Sequence, residues 1–154
     1  MSSRRWLDES LPALLSFHKV DEQPLSVCVV DVDYFKRIND TFGHQQGDAV
    51  LQPIGQAFRR ELRPTDHVAR FGGEEFVVVL PYTSQAGARK VAERLVAAVR
   101  ELEIEMSDGD TMPMVTISVG CAQLAEGDEC LDLLGRADEA MYRAKRAGRN
   151  RVEG

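Results

Sequence analysis

Short apolar runs along the chain, each bounded by glycine, proline or polar residues, predict five strands. The first run is rich in β-branched residues and follows Pro24, which is typical of a buried central strand. The second and third runs flank Gly72-Gly73-Glu74, which favours a hairpin because tight turns often need residues with positive φ. Residues 107–110 predict a turn between the last two runs. The five runs are Leu25–Val32, 67–71, 75–80, 102–106 and 115–122.

Between these runs, apolar residues recur at every third or fourth position, which predicts amphipathic helices. Asp33 is placed to cap a short helix that stops at Gly43, and Thr83 or Ser84 to cap a long one. Pro53 predicts a kink or a late start in the helix around it, because proline lacks the backbone donor. The helical segments are centred on 11–17, 34–42, 50–62, 85–102 and 128–147.

The order of strands and helices predicts the fold class. Strands that arrive as hairpins with helices between them indicate an α+β fold, with an antiparallel central sheet flanked by helices on both faces. The chain has 154 residues, of which 44% are hydrophobic and 29% charged. This composition excludes a disordered chain and a coiled coil, and the length predicts a single domain over 1–154.

The charge and the cysteine content limit which partners and which cellular compartment are expected. Nineteen basic residues against 25 acidic ones give a net charge of −6, so no DNA-binding surface is expected. No apolar run approaches the roughly 20 residues of a membrane-spanning helix, so no membrane contact is expected either. The three cysteines are odd in number and form no CxxC pair. This favours a reducing compartment over a disulfide scaffold, and we expect a cytoplasmic location.

Two pairs of acidic residues lie at predicted strand ends. Asp31 and Asp33 close the first strand, and Glu74 and Glu75 occupy the hairpin turn, where we expect Glu74 to lie opposite Asp31. Carboxylates brought together repel one another unless a cation lies between them, and oxygen ligands of this kind suit Mg²⁺. The alternative is that Asp33 only caps a helix and that the two glutamates form a solvated turn.

The polar segment after Asp33 favours the first interpretation. Lys36 offers a positive charge to a phosphate, and the backbone N–H groups at the start of the following helix offer an anion site. Asn39 supplies an amide and Asp48 a carboxylate. A carboxylate can accept hydrogen bonds from both N1–H and the exocyclic amine of guanine, whereas adenine has no such pair of donors. The segment therefore predicts a site for a guanine nucleotide.

Five ordered sequence blocks cover nearly the whole chain. They are DVDYFKRIND at 31–40, GH at 43–44, GD at 47–48, RFGGEEF at 70–76 and ADEAMYRAKRAGRN at 137–150. Together these blocks resemble the GGDEF family of diguanylate cyclases. The resemblance implies a fold similar to the polymerase palm and to class III nucleotidyl cyclases. It also implies a nucleotidyltransferase reaction, in which two GTP molecules give cyclic di-GMP and two pyrophosphates.

The same resemblance implies the roles of the acidic residues. Asp31, the carbonyl of Val32 and Glu74 would coordinate the metal, expected as two Mg²⁺ ions per active site, with Mn²⁺ as a possible substitute. Glu74 would also accept the proton of the attacking 3′-hydroxyl, and Glu75 would assist the second metal. Metal ions between the nucleophile, the α-phosphate and the leaving pyrophosphate stabilise both ends of an in-line displacement.

The resemblance further implies how the substrate is held. Asn39 and Asp48 would hold guanine, and His44 would line the nucleotide pocket. One domain holds one GTP, so the reaction would require a homodimer with two domains face to face. The residues expected to contact phosphates are Lys36, Lys145 and Arg149.

A second site is predicted by the segment from Arg63 to Asp66, which has the spacing of the family's inhibitory RxxD motif. Arginine can donate two hydrogen bonds to guanine or phosphate, and aspartate can accept from guanine. Cyclic di-GMP would thus be both product and inhibitor, with Arg94 as an additional contact. The alternative is a helix-end arginine, favoured by the helix dipole, followed by a turn aspartate.

Two further expectations concern the longer protein and the function class. The family's usual Asp-x-Leu-Thr-Gly-Leu segment is absent before 3–8, so we expect a domain excised from a longer protein with an upstream sensory region. The alternative to an active cyclase is a catalytically silent receptor for GTP or cyclic di-GMP. A cyclase that uses another nucleotide is disfavoured by Asn39 and Asp48.

Overall fold

The computed structural model describes residues 2–106, 109 and 111–154, which form six strands and five helices. The strands are β1 Ser2–Ser3, β2 Leu25–Val32, β3 His67–Arg70, β4 Glu75–Pro81, β5 Ile117–Gln123 and β6 Arg151–Glu153. The helices are α1 Arg4–Val20, α2 Phe35–Phe42, α3 His44–Glu61, α4 Gln85–Arg100 and α5 Cys130–Arg146.

The strands form one sheet in the order β1-β3-β4-β2-β5-β6. The four central strands pair in antiparallel fashion, whereas the edge strands β1 and β6 pair in parallel with their neighbours. The predicted α+β class with an antiparallel central sheet is therefore confirmed. Strand β2, fully buried along its length, lies near the middle of the sheet and ends in the acidic residues singled out above.

The two faces of β2 belong to two separate hydrophobic clusters. Cys28, Val30 and Val32 pack with α2, α3 and α4, while Val27 and Val29 pack with α1 and α5 on the other face. Because side chains alternate along a strand, residue 31 follows Val27 and Val29 onto the face covered by α5. This alternation decides which helix the acidic end of β2 meets.

Helix α5 lies directly against β5 at Gly120. A Cβ atom added at Gly120 would lie 2.1 Å from the carbonyl oxygen of Ala137 and 2.2 Å from the backbone nitrogen of Met141. Only glycine leaves room for a helix backbone at that distance. The close approach fixes α5 over the strands that carry the site.

Two of the sequence expectations on local structure are wrong, and one of the two alternatives at Pro53 is excluded. Residues 102–106 form no strand but contribute one isolated bridge, between Glu105 and Thr111. Asp33 does not cap α2, because the N-cap position is Tyr34 and no side chain caps that helix. Helix α3 begins at His44, well before Pro53, so a late start at this proline is excluded. The predicted turn at 107–110 lies outside the described residues except for Gly109.

Other differences come from short or capped elements. Strands β1 and β6, of two and three residues, escaped prediction because they are too short to show a period. Helix α1 starts earlier than its apolar residues indicate, since Ser3 accepts a hydrogen bond from the backbone of Trp6 and caps it. No helix in the described part of the chain is long and apolar enough to cross a membrane.

Candidate functional site

Asp31 lies at the end of β2, between β4 and β5, which both run antiparallel to β2. Its register partner on β4 is Glu75, and its partner on β5 is Ser118. The expectation that Glu74 lies opposite Asp31 is therefore wrong by one residue. Glu74 precedes β4, and its backbone carbonyl accepts a hydrogen bond from the Val32 amide at 3.2 Å. The hairpin thus places both glutamates beside the end of β2.

Negative charge accumulates around Asp31. Burial and the charges of Asp31, Asp138 and Glu74 raise the pKa of Glu75 above its usual range. Burial and the charges of Asp31 and Glu139 likewise raise the pKa of Asp138, which lies on α5. Both shifts mean that the site favours the neutral form of these carboxyl groups, because like charges in a partly desolvated place repel one another.

Lys145 provides positive charge at the same place. It lies on α5, and its Nζ is 2.8 Å from Oδ1 of Asp31 and 3.5 Å from Oδ1 of Asp33. The Lys145 side chain is only 17% exposed, so the contact with Asp31 is a partly buried ion pair. The predicted phosphate contact and the predicted metal ligand are therefore direct neighbours.

Asp33 is buried and saturated with hydrogen bonds. Its Oδ1 accepts from the Ser118 hydroxyl at 2.7 Å, and its Oδ2 accepts from the Thr116 hydroxyl at 2.8 Å. Oδ2 also accepts from the backbone N–H of Asn150 at 3.0 Å. This carboxylate links β2, β5 and the turn after α5, which the sequence did not indicate.

The donor set partly fits a divalent cation. Asp31, the Val32 carbonyl and Glu74 offer only oxygen, as Mg²⁺ prefers, and the raised pKa of Glu75 indicates negative charge that a cation would neutralise. Among the described residues, however, no group of three or more His, Cys, Asp or Glu side chains is arranged to hold a metal. The protein side chains alone do not form a closed site, so phosphate oxygens or water molecules would complete the coordination.

Arg149 lies in the turn after α5 and contacts an aromatic ring. Its guanidinium carbon is 4.7 Å from the centroid of the Tyr34 ring, and that of Arg37 is 4.5 Å from the same centroid. No described residue accepts a hydrogen bond from the buried Nε of Arg149. Two guanidinium groups thus contact the ring of the half-exposed Tyr34, at the start of α2.

The residues expected to bind the base lie on the helical pair α2 and α3. A Cβ added at Gly47 would lie 1.7 Å from Oδ1 of Asn39, so glycine makes room for this amide. That oxygen is buried and finds no hydrogen-bond partner within the described part of the chain. Lys36, His44 and Asp48 are exposed, and each can reach solvent or a ligand.

The predicted inhibitory residues lie at the end of β4 opposite to the hairpin, where Arg63 contacts Pro81. Arg63 donates to Asp66 at 2.9 Å, to the carbonyl of Pro81 at 2.8 Å and to the hydroxyl of Thr83 at 2.9 Å. The hydrogen bond with Asp66 raises the pKa of Arg63. The Asp66 side chain is 2% exposed, whereas that of Arg63 is 53% exposed. The pair closes the turn between α3 and β3 and leaves the guanidinium accessible.

Arg94 lies close to this pair. It reaches from α4 to Glu61, the last residue of α3. Its Nε is 3.7 Å from Oε2 of Glu61, and its Nη2 donates to the backbone carbonyl of Glu61 at 3.3 Å. Its side chain is half exposed. The fold thus brings Arg94 next to the last turn of α3, two residues before Arg63.

Comparison with known proteins decides the family. Residues 1–151 match the family described as "Diguanylate cyclase, GGDEF domain". The chain is a member of the GGDEF domain family. The family uses divalent metal ions in general, which agrees with the oxygen donors around Asp31.

Individual relatives agree with this assignment. The chain is 41% identical over 155 residues to the response regulator PleD of Caulobacter vibrioides, covering 100% of this chain and 34% of PleD. It is 44% identical over 154 residues to the diguanylate cyclase DgcP of Pseudomonas aeruginosa, covering 99% of this chain and 22% of DgcP. The chain therefore spans about a third or less of these relatives.

A solved structure of the same family has the same fold. The GGDEF domain of DgcB from Caulobacter crescentus, in complex with c-di-GMP, superposes with a TM-score of 0.95 at 30% identity. The match covers 99% of this chain and 90% of that one. The palm-like cyclase fold expected from the sequence is thereby confirmed.

The sequence did not indicate several residues that the structure places at the candidate site. Thr116 lies just before β5 and Ser118 lies within it, two positions apart. This period of two could have identified them as polar groups facing the end of β2. Asp138 belongs to α5 at helical spacing from Met141 and Lys145, but its proximity to Glu75 depends on tertiary packing. Tyr34 has a positive φ of 57°, which no local sequence pattern predicts.

Proposed function

We propose that this GGDEF domain condenses two GTP molecules into cyclic di-GMP with release of two pyrophosphates. The observation that carries the proposal is the meeting of Asp31 with the Glu74–Glu75 hairpin on one side and Lys145 on the other. The carboxylates could hold a metal ion, and the lysine could bind a phosphate, within one partly buried site. A reaction that changes the charge on metal-bound phosphates needs both kinds of group. The names of the relatives support the same reaction.

In the proposed reaction, O3′ of one GTP attacks the α-phosphorus of the other. The O3′–P bond forms, the bond from the α-phosphorus to the bridging oxygen breaks, and pyrophosphate leaves with that electron pair. Glu74 accepts the proton of the attacking hydroxyl. A second identical step closes the ring. Each GTP is held by one domain, so the proposed enzyme is a homodimer with two sites face to face.

The chain's residues have distinct proposed roles. Asp31, the Val32 carbonyl and Glu74 would hold a divalent ion, with Glu75 assisting, and this ion would stabilise charge on the α-phosphate and the leaving pyrophosphate. The buried, unpartnered Oδ1 of Asn39 would accept from guanine, together with Asp48. His44 would line the pocket. Cations proposed to hold the phosphates are Lys36, Lys145 and Arg149.

We also propose product inhibition through Arg63, Asp66 and Arg94. The half-exposed guanidinium groups of Arg63 and Arg94 lie on one side of the domain and could each donate to guanine or phosphate. Asp66 would act mainly by orienting Arg63, because its own carboxylate is buried in that ion pair. Cyclic di-GMP bridging two domains there would hold their catalytic sites apart.

The decisive experiment compares Glu74→Gln with the parent protein in GTP and Mg²⁺, with products resolved by mass. We expect cyclic di-GMP from the parent, a specific activity that rises with protein concentration, and a loss of at least about 100-fold in the variant. Glu93→Gln, the same change on the exposed face of α4, serves as the control and should match the parent. Turnover within about tenfold in Glu74→Gln would overturn the assignment, and GTP binding without product would indicate a receptor.

A further inference from the structure

The buried carboxylate of Asp33 joins several separate segments of the chain. Asp33 is 2% exposed, yet it accepts from two hydroxyls and one backbone N–H and lies 3.5 Å from the ammonium of Lys145. These groups come from β5, from the turn after α5 and from α5 itself. A buried carboxylate is costly unless it is satisfied, and here four donors converge on its two oxygens.

One of these contacts stabilises an unusual turn. Gly148, Arg149 and Asn150 have φ values of 124°, 65° and 53°, so two consecutive non-glycine residues adopt the left-handed region. Such residues cost free energy and persist only where the surroundings hold them. The N–H of Asn150 donates to Asp33 at 3.0 Å, and the side-chain oxygen of Asn150 accepts from Arg100 at 3.1 Å.

This turn decides where the Arg149 side chain goes. The backbone N–H of Arg149 donates to the carbonyl of Ala144 at 3.0 Å, and its guanidinium packs on the Tyr34 ring. With the backbone fixed on both sides, the guanidinium is directed to the start of α2 rather than into solvent. Asp33 lies between this turn and Lys145, so one carboxylate contacts the two segments that carry Arg149 and Lys145, two of the three proposed phosphate cations.

We propose that Asp33 is a positioning residue that holds Arg149 and Lys145 in place for the triphosphate of the nucleotide. It acts through the Asn150 N–H and the Lys145 ammonium and does not itself contact substrate. The inference rests on the proposed function, because it names what sets the geometry of that same site. It also explains why this aspartate accepts hydrogen bonds from β5 instead of capping α2.

The test measures binding of 3′-deoxy-GTP, which lacks the attacking hydroxyl and therefore reports affinity without turnover. Asp33→Asn keeps the shape of the side chain but replaces one acceptor oxygen with a donor facing donors. We expect it to weaken 3′-deoxy-GTP by at least about tenfold. Asp128→Asn, which also removes a buried, hydrogen-bonded carboxylate but lies far from the site, is the matched control and should stay within about twofold.

A double-mutant cycle separates positioning from general destabilisation. If Asp33 acts through Arg149, then Asp33→Asn in an Arg149→Ala background should cost clearly less affinity than it costs in the parent. An equal loss in both backgrounds, or no loss at all in the single variant, would overturn the inference. A parent protein that binds neither 3′-deoxy-GTP nor GTP would instead refute the proposed function.

Discussion

The Nζ of Lys145 lies 2.8 Å from Oδ1 of Asp31, so the cation proposed for phosphate and the carboxylate proposed for metal form one ion pair. This pair joins α5 to the end of β2 and depends on the close contact between α5 and β5 at Gly120. Because the proposed metal ligand lies on β2 and the proposed phosphate cation lies on α5, the contact between these two elements sets the distance between the two groups.

Replacing Asp48 with alanine tests recognition of the base. We expect Asp48→Ala to weaken GTP much more than ATP, because only guanine loses an acceptor for its N1–H and amine. The loss of a charged hydrogen bond should cost about 1.5–3 kcal/mol, or roughly tenfold to a hundredfold in affinity. Calorimetry with both nucleotides measures the two losses of affinity. Asp8→Ala, at an exposed position of α1, is the control. Equal weakening of GTP and ATP would show that Asp48 does not contact the base.

Replacing Gly47 with alanine tests the room left for Asn39. Alanine usually stabilises a helix interior by about 0.5–1 kcal/mol relative to glycine, but a Cβ here would lie 1.7 Å from Oδ1 of Asn39. Because that oxygen is the end of a movable side chain, we expect the fold to survive and GTP binding to fall by about tenfold or more. Gly135→Ala in α5 has no atom within 4 Å of the new Cβ and should only raise the melting temperature.

Replacing Arg63 with alanine tests the proposed inhibitory site. The guanidinium donates to Asp66, Pro81 and Thr83, so its removal takes away both the accessible donor and the support of Asp66. We expect Arg63→Ala to weaken cyclic di-GMP by at least about tenfold in equilibrium binding. Arg94→Ala should weaken it as well, whereas Arg89→Ala on another part of α4 should not. Unchanged binding of cyclic di-GMP in Arg63→Ala would show that Arg63 and Asp66 only stabilise the turn between α3 and β3.

The ion pair between Asp128 and Arg136 should make the free energy of unfolding depend on pH. Hydrogen bonds from Arg136 lower the pKa of Asp128, so ionised Asp128 stabilises the folded state. This contribution is present above the ordinary aspartate pKa of about 3.9 and is lost as pH falls through the lower folded value. We expect Asp128→Asn to reduce the free energy of unfolding by about 1–3 kcal/mol at pH 7. The free energies of unfolding of variant and parent should converge as the pH falls below the folded pKa of Asp128, and a difference that stays constant would contradict the assignment.

The sequence predicted the parts of this site that are encoded locally. Strand β2, the hairpin and the acidic residues at their ends follow from apolar runs and glycines over a few neighbouring positions. The role of Asp33 could not be predicted, because its partners Ser118 and Asn150 lie 85 and 117 positions away. The same reason explains the one-residue error at Glu74, since register between strands depends on the whole sheet and not on the turn alone.

Strands β1 and β6 occupy the two outer edges of the six-stranded sheet. With neighbouring strands about 4.8 Å apart, the five spacings separate Ser2 from Arg151 by about 24 Å across the sheet. A circularly permuted version of this domain would therefore need a connecting peptide of at least about seven extended residues. Fluorescent labels attached at Ser2 and Gly154 would lie at a separation suited to energy transfer, and their signal would report whether the sheet is intact.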